Sequence, residues 1–567
     1  MGRVKSSTET RLTALLVIIF LCVVGISGRL VFVQGVSAAK YDAAAEKQRL
    51  SIVELPPKRG TILDRNGDEL AVSVLMDTIY ASPSLIDDRE GFAKKLAPVL
   101  KMDERDILKK LLKQSGFTYL VRKTDPSTVK AVKQLVKEEH IKGIGFIKES
   151  KRYYPNAALG AHVIGFAGMD NHGLSGLELY YDEMLYGKPG KIVAERDGQG
   201  GPIPQSVQSS RRAIDGSNIR TSIDKEIQYE AELGLAAVVK KYKAKRGSVI
   251  VMNPKTGEIY AMANVPYFNP NKLATVNKDN QKNTTITDLY EPGSTMKAII
   301  ASGALQEGLC NPSTPFYLKS AIQIGHKRIR DAHTRPAGMY TFSNIIQESS
   351  NIGMVKIGML MGKDKILDYL SRFGFDRKTG VDYPGESRGF YPKKENWSVM
   401  SLANIPFGQG ICTTQLMMVK AYATIANDGI PIKPHLLLDA TDQRGRVILS
   451  APAMPEKQVI DVAVCRKMKQ ILEKAVTDGT GPQAKVAHYR VGGKTGTAQK
   501  AKVNGRGYDK GRYVASFIGM VPIQDPQLVI SVVIDEPRES IYGGSVAAPV
   551  FSKVAEFSLR YLKIPPE

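Results

Sequence analysis

An uncharged apolar stretch near the amino terminus constrains this chain more than any other feature of its sequence. The run 12–26 carries no charge and continues past Arg29, which gives the length of about 20 residues that a helix needs to cross a bilayer. Arg29 can extend its charged end to the interface. Cationic residues precede the run, and the positive-inside rule then keeps the short tail cytoplasmic. We therefore predict a tail over 1–11, a transmembrane helix over 12–33 and an exported body.

The same stretch has a second interpretation as a cleaved signal peptide. The small residues Ser37, Ala38 and Ala39 follow it and are typical of a cleavage site. The length of the apolar run favours an anchor over cleavage. Both interpretations export the main body across the membrane.

The rest of the chain has the composition of globular domains. It contains no second apolar stretch approaching 18 residues, and 43% hydrophobic with 24% charged residues is typical of folded proteins. A length of 567 residues indicates at least two folded units. The region 34–215 is rich in turns and short β-like segments, whereas 216–567 has strand patterns at both ends and helical patterns between them. We predict an extended scaffold followed by one large α+β domain whose sheet is completed by both ends of that region.

Charge and cysteine content exclude several classes of function. The net charge of +23 suits anionic surfaces, but the densest basic run, 240–246, ends an amphipathic helical pattern and complements a helix dipole. We find no nucleic-acid-binding motif and expect no nucleic-acid partner. The scattered cysteines and the absence of a Cys/His cluster lead us to expect no metal and no redox cofactor. The cysteines are Cys22, Cys310, Cys412 and Cys465.

Short catalytic motifs recur in this lysine-rich chain, so none of them is informative alone. Ser-x-x-Lys begins at four positions: Ser37, Ser127, Ser222 and Ser294. Lys-Thr-Gly begins at three positions: Lys255, Lys378 and Lys494. Order along the chain and local context must select among them.

The sequence around Ser294 favours a nucleophile. Pro292 and Gly293 open a helical pattern whose apolar stripe faces a core, and Ser294 lies in its first turn. Lys297 follows one turn later on the same face. Burial lowers the pKa of a lysine, and a neutral amine can act as a base toward a neighbouring hydroxyl.

Two further elements follow in the order that such chemistry requires. Ser349, Ser350 and Asn351 precede a long apolar helical pattern, where the simpler interpretation is a helix cap. Lys494 begins Lys-Thr-Gly-Thr within a strand-like segment, whereas Lys255 lies in a predicted hairpin turn before the nucleophile and Lys378 in a predicted loop. The joint occurrence of the three elements is much more specific than any one of them.

The SxxK, SxN and KTG elements together resemble the set found in penicillin-binding proteins and serine β-lactamases. The segments RGTILDRNGDELA, RYYPNAALGAHVIGF and GLSGLELYYDEMLYGKPG resemble the pedestal of class B penicillin-binding proteins, and SIYGGSVAAPVF resembles their carboxy-terminal element. NTTITDLYEPGSTMK and FGQGICTTQLMMVKAYATIANDG are similar to the division-type branch, FtsI and its SpoVD-like sporulation relatives. The resemblance implies a penicillin-binding transpeptidase fold, an antiparallel sheet flanked by helices, with an extended β-rich pedestal over 34–215 and the transpeptidase domain over 216–567.

The resemblance also implies roles for individual residues. Ser294 would attack the penultimate D-Ala carbonyl of a stem peptide ending in D-Ala-D-Ala, and Lys297 would accept its proton. Ser349 would shuttle a proton to the leaving D-Ala, and Asn351 would bind the peptide amide. The resemblance further implies that a lysine and threonine hydroxyls bind the terminal carboxylate of the substrate. The backbone amides of Ser294 and Thr497 would form the oxyanion hole. The substrate-binding residues are Lys494, Thr495, Gly496 and Thr497.

The implied function is a peptidoglycan transpeptidase of the bacterial cell membrane that β-lactams acylate. Because no glycosyltransferase motif precedes the catalytic region, the resemblance implies an FtsW-like glycosyltransferase partner among other divisome membrane proteins. A serine β-lactamase, a D,D-carboxypeptidase, a β-lactam sensor and an idle scaffold are the alternatives. A Ser-His-Asp hydrolase and a phosphate-binding loop fit poorly, since GxSxG is missing and GGKT lacks the first glycine of a Walker motif.

Overall fold

A computed structural model of the chain describes residues 7–41, 50–113, 117–195, 209–325, 327–502 and 507–566. The α-helices of this part are α1 (Ser7–Val31), α2 (Arg89–Leu100), α3 (Glu104–Leu111), α4 (Pro126–Glu138), α5 (Ala161–Ile164), α6 (Gly176–Tyr180), α7 (Asp182–Tyr186), α8 (Lys225–Lys241), α9 (Thr284–Thr287), α10 (Lys297–Gln306), α11 (Phe342–Gln347), α12 (Asn351–Arg372), α13 (Val399–Asn404), α14 (Gln415–Ala426), α15 (Val462–Thr477), α16 (Gly543–Val546) and α17 (Ala548–Tyr561).

The strands are distributed along the same described residues. They are β1 (Leu50–Leu55), β2 (Ile62–Leu63), β3 (Glu69–Ala81), β4 (Thr118–Thr124), β5 (Ile144–Tyr153), β6 (Phe166–Ala167), β7 (Gly173–Ser175), β8 (Gly190–Glu195), β9 (Ser209–Arg211), β10 (Asn218–Thr221), β11 (Arg246–Met252), β12 (Ile259–Val265), β13 (Pro315–Leu318), β14 (Ile322–Ile324), β15 (Lys327–Ile329), β16 (Gly338–Thr341), β17 (Leu437–Thr441), β18 (Val447–Ser450), β19 (Gly492–Ala501), β20 (Tyr508–Val521) and β21 (Leu528–Asp535).

The apolar amino-terminal stretch is helical, as predicted. Helix α1 continues into a π-helical turn over Phe32–Val36, and within the described residues Glu9–Val36 is the one helix that is long and apolar enough to cross a membrane. Its large apolar side chains are exposed along the predicted span. Residues 1–6 of the predicted tail lie outside the described part of the chain.

The chain folds into two compact units that are discontinuous in sequence. The described residues within Met1–Pro57, Met76–Glu149 and Lys188–Ile214 form one unit. Those within Lys58–Leu75, Ser150–Gly187 and Asp215–Glu567 form the other. In the first unit, β1, β8 and β9 form a small antiparallel sheet, and helices α2–α4 pack around a separate apolar cluster.

The second unit contains a five-stranded antiparallel sheet in the order β12, β11, β21, β20, β19. The first two strands of this sheet come from the start of the predicted α+β region and the other three from its end, so the prediction that both ends complete one sheet is confirmed. Strand β19, which carries Lys494, lies at one edge.

Helices cover both faces of this sheet. Helices α8 and α17 pack on one face around a core that includes Leu235, Phe517 and Phe551. On the other face, Gln415 at the start of α14 donates a hydrogen bond to the carbonyl of Ser531 (3.0 Å), so the helix is fixed to a central strand by a buried polar contact. Both faces of the sheet are therefore shielded from water, and a ligand can reach the sheet only at an edge strand such as β19.

Three segments from the earlier region meet at one buried carboxylate in the second unit. The Nε atoms of Arg59 and Arg152 each donate a 2.6 Å hydrogen bond to Glu178, whose side chain is 0% exposed. Burial favours the neutral acid, but the two guanidinium groups outweigh it and lower the pKa of Glu178. The three motifs that suggested a pedestal thus form one ionic cluster.

We predict that Glu178→Ala lowers the free energy of unfolding by about 3–5 kcal/mol, because buried Arg152 loses its counter-charge and buried Arg59 keeps only Asp182. Glu183→Ala serves as the control, since Glu183 is exposed on the neighbouring helix α7. Urea unfolding of the detergent-solubilised protein measures both. Equal stability of the two variants would contradict the assignment of Glu178 as the centre of the cluster.

Candidate active site

Ser294 lies on a tight turn that leads into a central helix. Residues Gly293–Met296 form a 3₁₀ turn, and α10 follows directly. Gly293 adopts a left-handed conformation (φ +56°), and its amide donates to the Gly408 carbonyl at 3.1 Å. The other residues of the turn are buried, whereas Ser294 is partly exposed. The turn therefore presents the Ser294 side chain at a surface while its backbone is fixed from behind.

Helix α10 is more deeply buried than the predicted apolar stripe requires. Every residue from Lys297 to Leu305 is buried, so the helix is surrounded by protein on all sides. Lys297 itself is 0% exposed. The stripe identified in the sequence is buried as predicted, but the remaining faces are buried as well, which places the lysine in a dry interior.

The Lys297 amine contacts both ends of the SxN element. Its Nζ donates to the Ser349 carbonyl at 2.5 Å, lies 3.1 Å from the Ser349 hydroxyl, and lies 2.9 Å from Asn351 Oδ1. Burial is the main cause that lowers the pKa of Lys297, and the nearby positive charge of Lys494 lowers it further. The predicted effect of burial on this lysine is confirmed. The structure thus provides an amine that is easily deprotonated.

Ser349 has a strained backbone that serves this contact. It is a non-glycine residue at φ +60°, a conformation that costs about 1–3 kcal/mol and recurs at functional sites. The left-handed turn directs the Ser349 carbonyl toward Lys297, since that carbonyl makes the shortest of the amine's contacts. The strained conformation therefore positions the Ser349 carbonyl as a hydrogen-bond acceptor for the lysine amine.

Ser350 performs the simpler role that the sequence also suggested. It is the N-cap of α12, and its hydroxyl accepts from the Gly353 amide at 3.0 Å. The Asp331 carboxylate accepts from the Ser350 hydroxyl and from the Ile352 amide, both at 3.0 Å. Arg335 pairs with the same carboxylate. Asp331 thus anchors the start of α12, a role that no motif in the sequence indicated.

Lys494 is the second buried lysine of the site, at 1% exposure. Its Nζ contacts the hydroxyls of Thr480 (3.2 Å) and Thr495 (3.3 Å), and these two hydroxyls are 2.7 Å apart. Burial lowers the pKa of Lys494 to about 7. Thr480 lies in the turn after α15 and belongs to no recognisable motif, so sequence analysis missed it.

Strand β19 lies against the turn that carries the nucleophile candidate. A Cβ atom added at Gly496 would lie 2.3 Å from the Ser516 hydroxyl and 3.1 Å from the Pro292 carbonyl, so only glycine allows this close approach. The next residue, Thr497, accepts a hydrogen bond from the Gly543 amide at 3.2 Å. The glycine of Lys-Thr-Gly therefore sets the separation between β19 and Ser294.

The other copies of the motifs have structural roles or exposed positions. Ser37 caps the π-helical turn that follows α1, Ser127 donates to the capping Asp125, and the buried Ser222 hydroxyl donates to backbone carbonyls. Lys255 pairs with a surface carboxylate at 2.6 Å, and Lys378 lies exposed in a loop. Tertiary structure brings together only one copy of each motif within the described chain.

This geometry suits acyl transfer through a serine ester. The elements are a partly exposed hydroxyl, a buried amine of lowered pKa one turn away, and a second buried lysine at the facing strand. The class of protein that these elements define is a serine acyltransferase that uses lysine in place of histidine.

Comparison with known proteins agrees with this class. A family model for the penicillin-binding protein transpeptidase domain matches residues 247–556, and a model for the penicillin-binding protein dimerisation domain matches residues 54–221. The chain is 34% identical over 557 residues to stage V sporulation protein D of Bacillus subtilis, covering 97% of this chain and 85% of that protein. It is 32% identical over 561 residues to the peptidoglycan D,D-transpeptidase FtsI of Escherichia coli, covering 97% and 91%.

Solved structures show the same likeness. A peptidoglycan synthetase from Bifidobacterium adolescentis aligns with a TM-score of 0.74 at 26% identity, covering 92% of this chain and 98% of that one. Penicillin-binding protein 3 from Mycobacterium tuberculosis, complexed with aztreonam, aligns with a TM-score of 0.71 at 26% identity, covering 91% and 98%. The chain belongs to the penicillin-binding protein transpeptidases, in the FtsI-like group of class B.

We predict that Gly496→Ala lowers the free energy of unfolding by about 1–3 kcal/mol, because the new methyl group overlaps the Ser516 hydroxyl. Ser516→Ala removes the nearest clashing atom, so the double variant should recover part of the loss. Thermal unfolding of the two single variants and the double variant measures this coupling. If the losses of the two single variants simply add in the double variant, the new methyl group is accommodated by movement of atoms other than the Ser516 hydroxyl.

Proposed function

We propose that this protein is a membrane-anchored D,D-transpeptidase that cross-links peptidoglycan stem peptides through an acyl-enzyme on Ser294. The observation that carries the proposal is the Lys297 amine, fully buried one turn after Ser294 and held by Ser349 and Asn351. Membership of the FtsI-like family and the name of the Escherichia coli relative support the same reaction.

In the proposed first step, Lys297 in its neutral form accepts the Ser294 proton as the oxygen attacks the penultimate D-Ala carbonyl. The Ser294 and Thr497 backbone amides bind the developing oxyanion. Collapse of the tetrahedral intermediate breaks the peptide bond, and the proton passes by way of Ser349 to the leaving D-Ala amine. Asn351 holds both the substrate amide and Lys297.

We assign recognition of the substrate carboxylate to strand β19, which lies against the turn that carries Ser294. Protonated Lys494 supplies positive charge, and the hydroxyls of Thr495 and Thr497 donate to the carboxylate. The Thr495 hydroxyl already contacts Thr480 and Lys494, so it is oriented before substrate binds. The acyl-enzyme then reacts with the amine of a second stem peptide, which completes the cross-link.

β-Lactams would acylate the same serine. The structural relatives include complexes of penicillin-binding protein 3 with aztreonam and with ampicillin. A β-lactam carries an acyl group and an anionic group, a carboxylate or a sulfonate, that match the two sides of this site, Ser294 and Lys494. Slow hydrolysis of the resulting ester distinguishes a transpeptidase from a β-lactamase, and nitrocefin turnover separates the two experimentally.

We also propose the remaining organisation of the chain. Residues 1–11 form the cytoplasmic tail, 12–33 the single membrane span, 34–215 the pedestal and 216–567 the transpeptidase domain in the extracytoplasmic space. The apolar helix Glu9–Val36 and the dimerisation-domain match over 54–221 support this order. An FtsW-like glycosyltransferase and other division proteins are the proposed partners, and septal wall synthesis is the proposed role.

Labelling with fluorescent penicillin, followed by peptide mapping, tests the assignment of the nucleophile. We expect one stable label on Ser294 and its complete loss in Ser294→Ala. Ser127→Ala is the matched control, since Ser127 begins another Ser-x-x-Lys motif and should keep full labelling. A label on any other serine would overturn the proposal.

The two buried lysines predict a bell-shaped pH dependence for acylation. The second-order rate constant should rise as Lys297 loses its proton and fall above about pH 7 as Lys494 loses its charge. Lys494→Gln should abolish the falling limb. It should also move the rising limb to higher pH, because removal of a neighbouring positive charge raises the pKa of Lys297.

Stopped-flow acylation by penicillin between pH 5 and about 9 measures both limbs. Lys255→Gln is the control, since this lysine of another Lys-Thr-Gly copy pairs with Asp525 at the surface. Its profile should match that of the unmodified protein. An unchanged profile in Lys494→Gln would exclude the proposed electrostatic link between the two lysines.

A further inference from the structure

A cluster of exposed cations lies beside the SxN element and has no role in the proposed chemistry. Residues 319–335 contain five Lys or Arg residues and a single acidic residue, Asp331. Strands β14 and β15 form an antiparallel hairpin within this segment. We call its four exposed cations the basic patch: Lys319, Lys327, Arg328 and Arg330.

The positive charge of the basic patch is not neutralised within the described chain. In that part of the protein, no carboxylate oxygen lies within 4.0 Å of any of its four cationic groups. The fifth cation, Arg335, differs because it pairs with Asp331. Exposed cations gathered without counter-charges attract anions over a distance of about 8–10 Å at moderate salt.

The basic patch is fixed directly to the candidate active site. The Arg330 carbonyl accepts a 3.2 Å hydrogen bond from Asn351 Nδ2, and the other end of that amide contacts Lys297 at 2.9 Å. Asp331, the next residue, is anchored to the Ile352 amide at the start of α12. The patch is therefore held on the SxN side of the site by the Arg330 carbonyl and the Asp331 carboxylate, and not by its cationic groups.

The same segment also reaches toward the strand that carries Lys494. The ring of His333 lies 5.5 Å from that of Tyr542, centre to centre. Tyr542 precedes Gly543, whose amide donates to Thr497. The segment that bears the basic patch thus runs from the SxN element toward the residues that contact the Lys-Thr-Gly-Thr strand.

We propose that the basic patch binds the carboxylates of the acceptor stem peptide and so directs its amine toward the acyl-enzyme. This inference rests on the proposed transpeptidase function. The donor carboxylate is already assigned to Lys494 and Thr495, so a second anionic peptide requires a separate cationic surface. A surface on the SxN side places the incoming amine near Ser349, which carries the proton in the proposed mechanism.

This role also explains a preference for the amine over water. Binding of the acceptor raises its effective concentration at the ester, which favours aminolysis against hydrolysis by abundant water. In the transfer step the acceptor nitrogen attacks the ester carbonyl, the bond to Ser294 Oγ breaks, and the proton lost by the nitrogen returns to Ser294. The basic patch takes no part in bond making and acts only through binding.

The test compares the variant Lys327→Gln, Arg328→Gln, Arg330→Gln with the unmodified full-length protein in detergent. A thioester analogue of the donor peptide supplies the acyl group, and a stem peptide with free carboxylates supplies the amine. We expect the KM for this acceptor to rise about tenfold, equivalent to ~1.4 kcal/mol, and the ratio of transfer to hydrolysis to fall at subsaturating acceptor. The rate of donor acylation should change by less than about twofold, since the assigned donor contacts are intact.

Two controls separate carboxylate binding from a general effect of charge. With the acceptor carboxylates amidated, the variant and the unmodified protein should give the same KM. The variant Arg466→Gln, Lys467→Gln, Lys474→Gln removes the same charge from exposed positions of α15 and should behave as the unmodified protein. Added salt should weaken acceptor binding to the unmodified protein and narrow its difference from the basic-patch variant.

An unchanged transfer ratio in the basic-patch variant would overturn the inference, as would an equal loss with the amidated acceptor. Loss of binding to vesicles containing anionic lipid, with the transfer ratio unchanged, would assign the patch to a membrane surface and also overturn it. Failure of the unmodified protein to form an acyl-enzyme at Ser294 would instead refute the proposed function itself. These outcomes are distinguishable because acylation and transfer are measured separately.

Discussion

The burial of the Lys297 amine is the constraint on which the rest of the site depends. An ammonium group in a dry interior is costly, so burial shifts this lysine toward the neutral form that can accept a proton. The surrounding structure supplies acceptors for its hydrogen atoms, the Ser349 carbonyl and Asn351 Oδ1, and within the described residues no carboxylate lies within 4.0 Å of it. The more distant Asp331 carboxylate raises the pKa of Lys297, but burial and the charge of Lys494 outweigh it.

A second buried lysine completes the electrostatic design. Lys494 has hydroxyl partners, Thr480 and Thr495, and its positive charge lowers the pKa of Lys297. Two buried cations disfavour each other, so the charge is best held by one lysine while the other is neutral. The proposed mechanism needs this distribution, with Lys494 charged for a carboxylate and Lys297 neutral for a proton.

Much of this arrangement could be predicted because local sequence patterns indicate it. Strand patterns at both ends of 216–567 predicted the sheet that β11, β12, β20 and β21 help to form. The order and context of the SxxK, SxN and KTG motifs selected Ser294 over Ser37, Ser127 and Ser222. The contributions of Thr480 and Asp331 could not be predicted. Thr480 meets Lys494 through the packing of α15 beside β19. Asp331 reaches the Ile352 amide at the start of α12 across 20 intervening residues that include β16 and α11. No periodicity or spacing encodes contacts of this kind.

The sequence by itself determined the apolar span, the strand patterns at both ends of the later region and the choice of chemistry, because each depends on residue types at short spacings or on the order of short motifs. Only the tertiary structure decided that α10 is buried on every side, that Ser349 adopts a left-handed backbone, and that 58–75 and 150–187 pack in one compact unit with the later residues. These features depend on which distant segments share a core. Burial, and with it the pKa of Lys297, is a property of the assembled fold rather than of any motif.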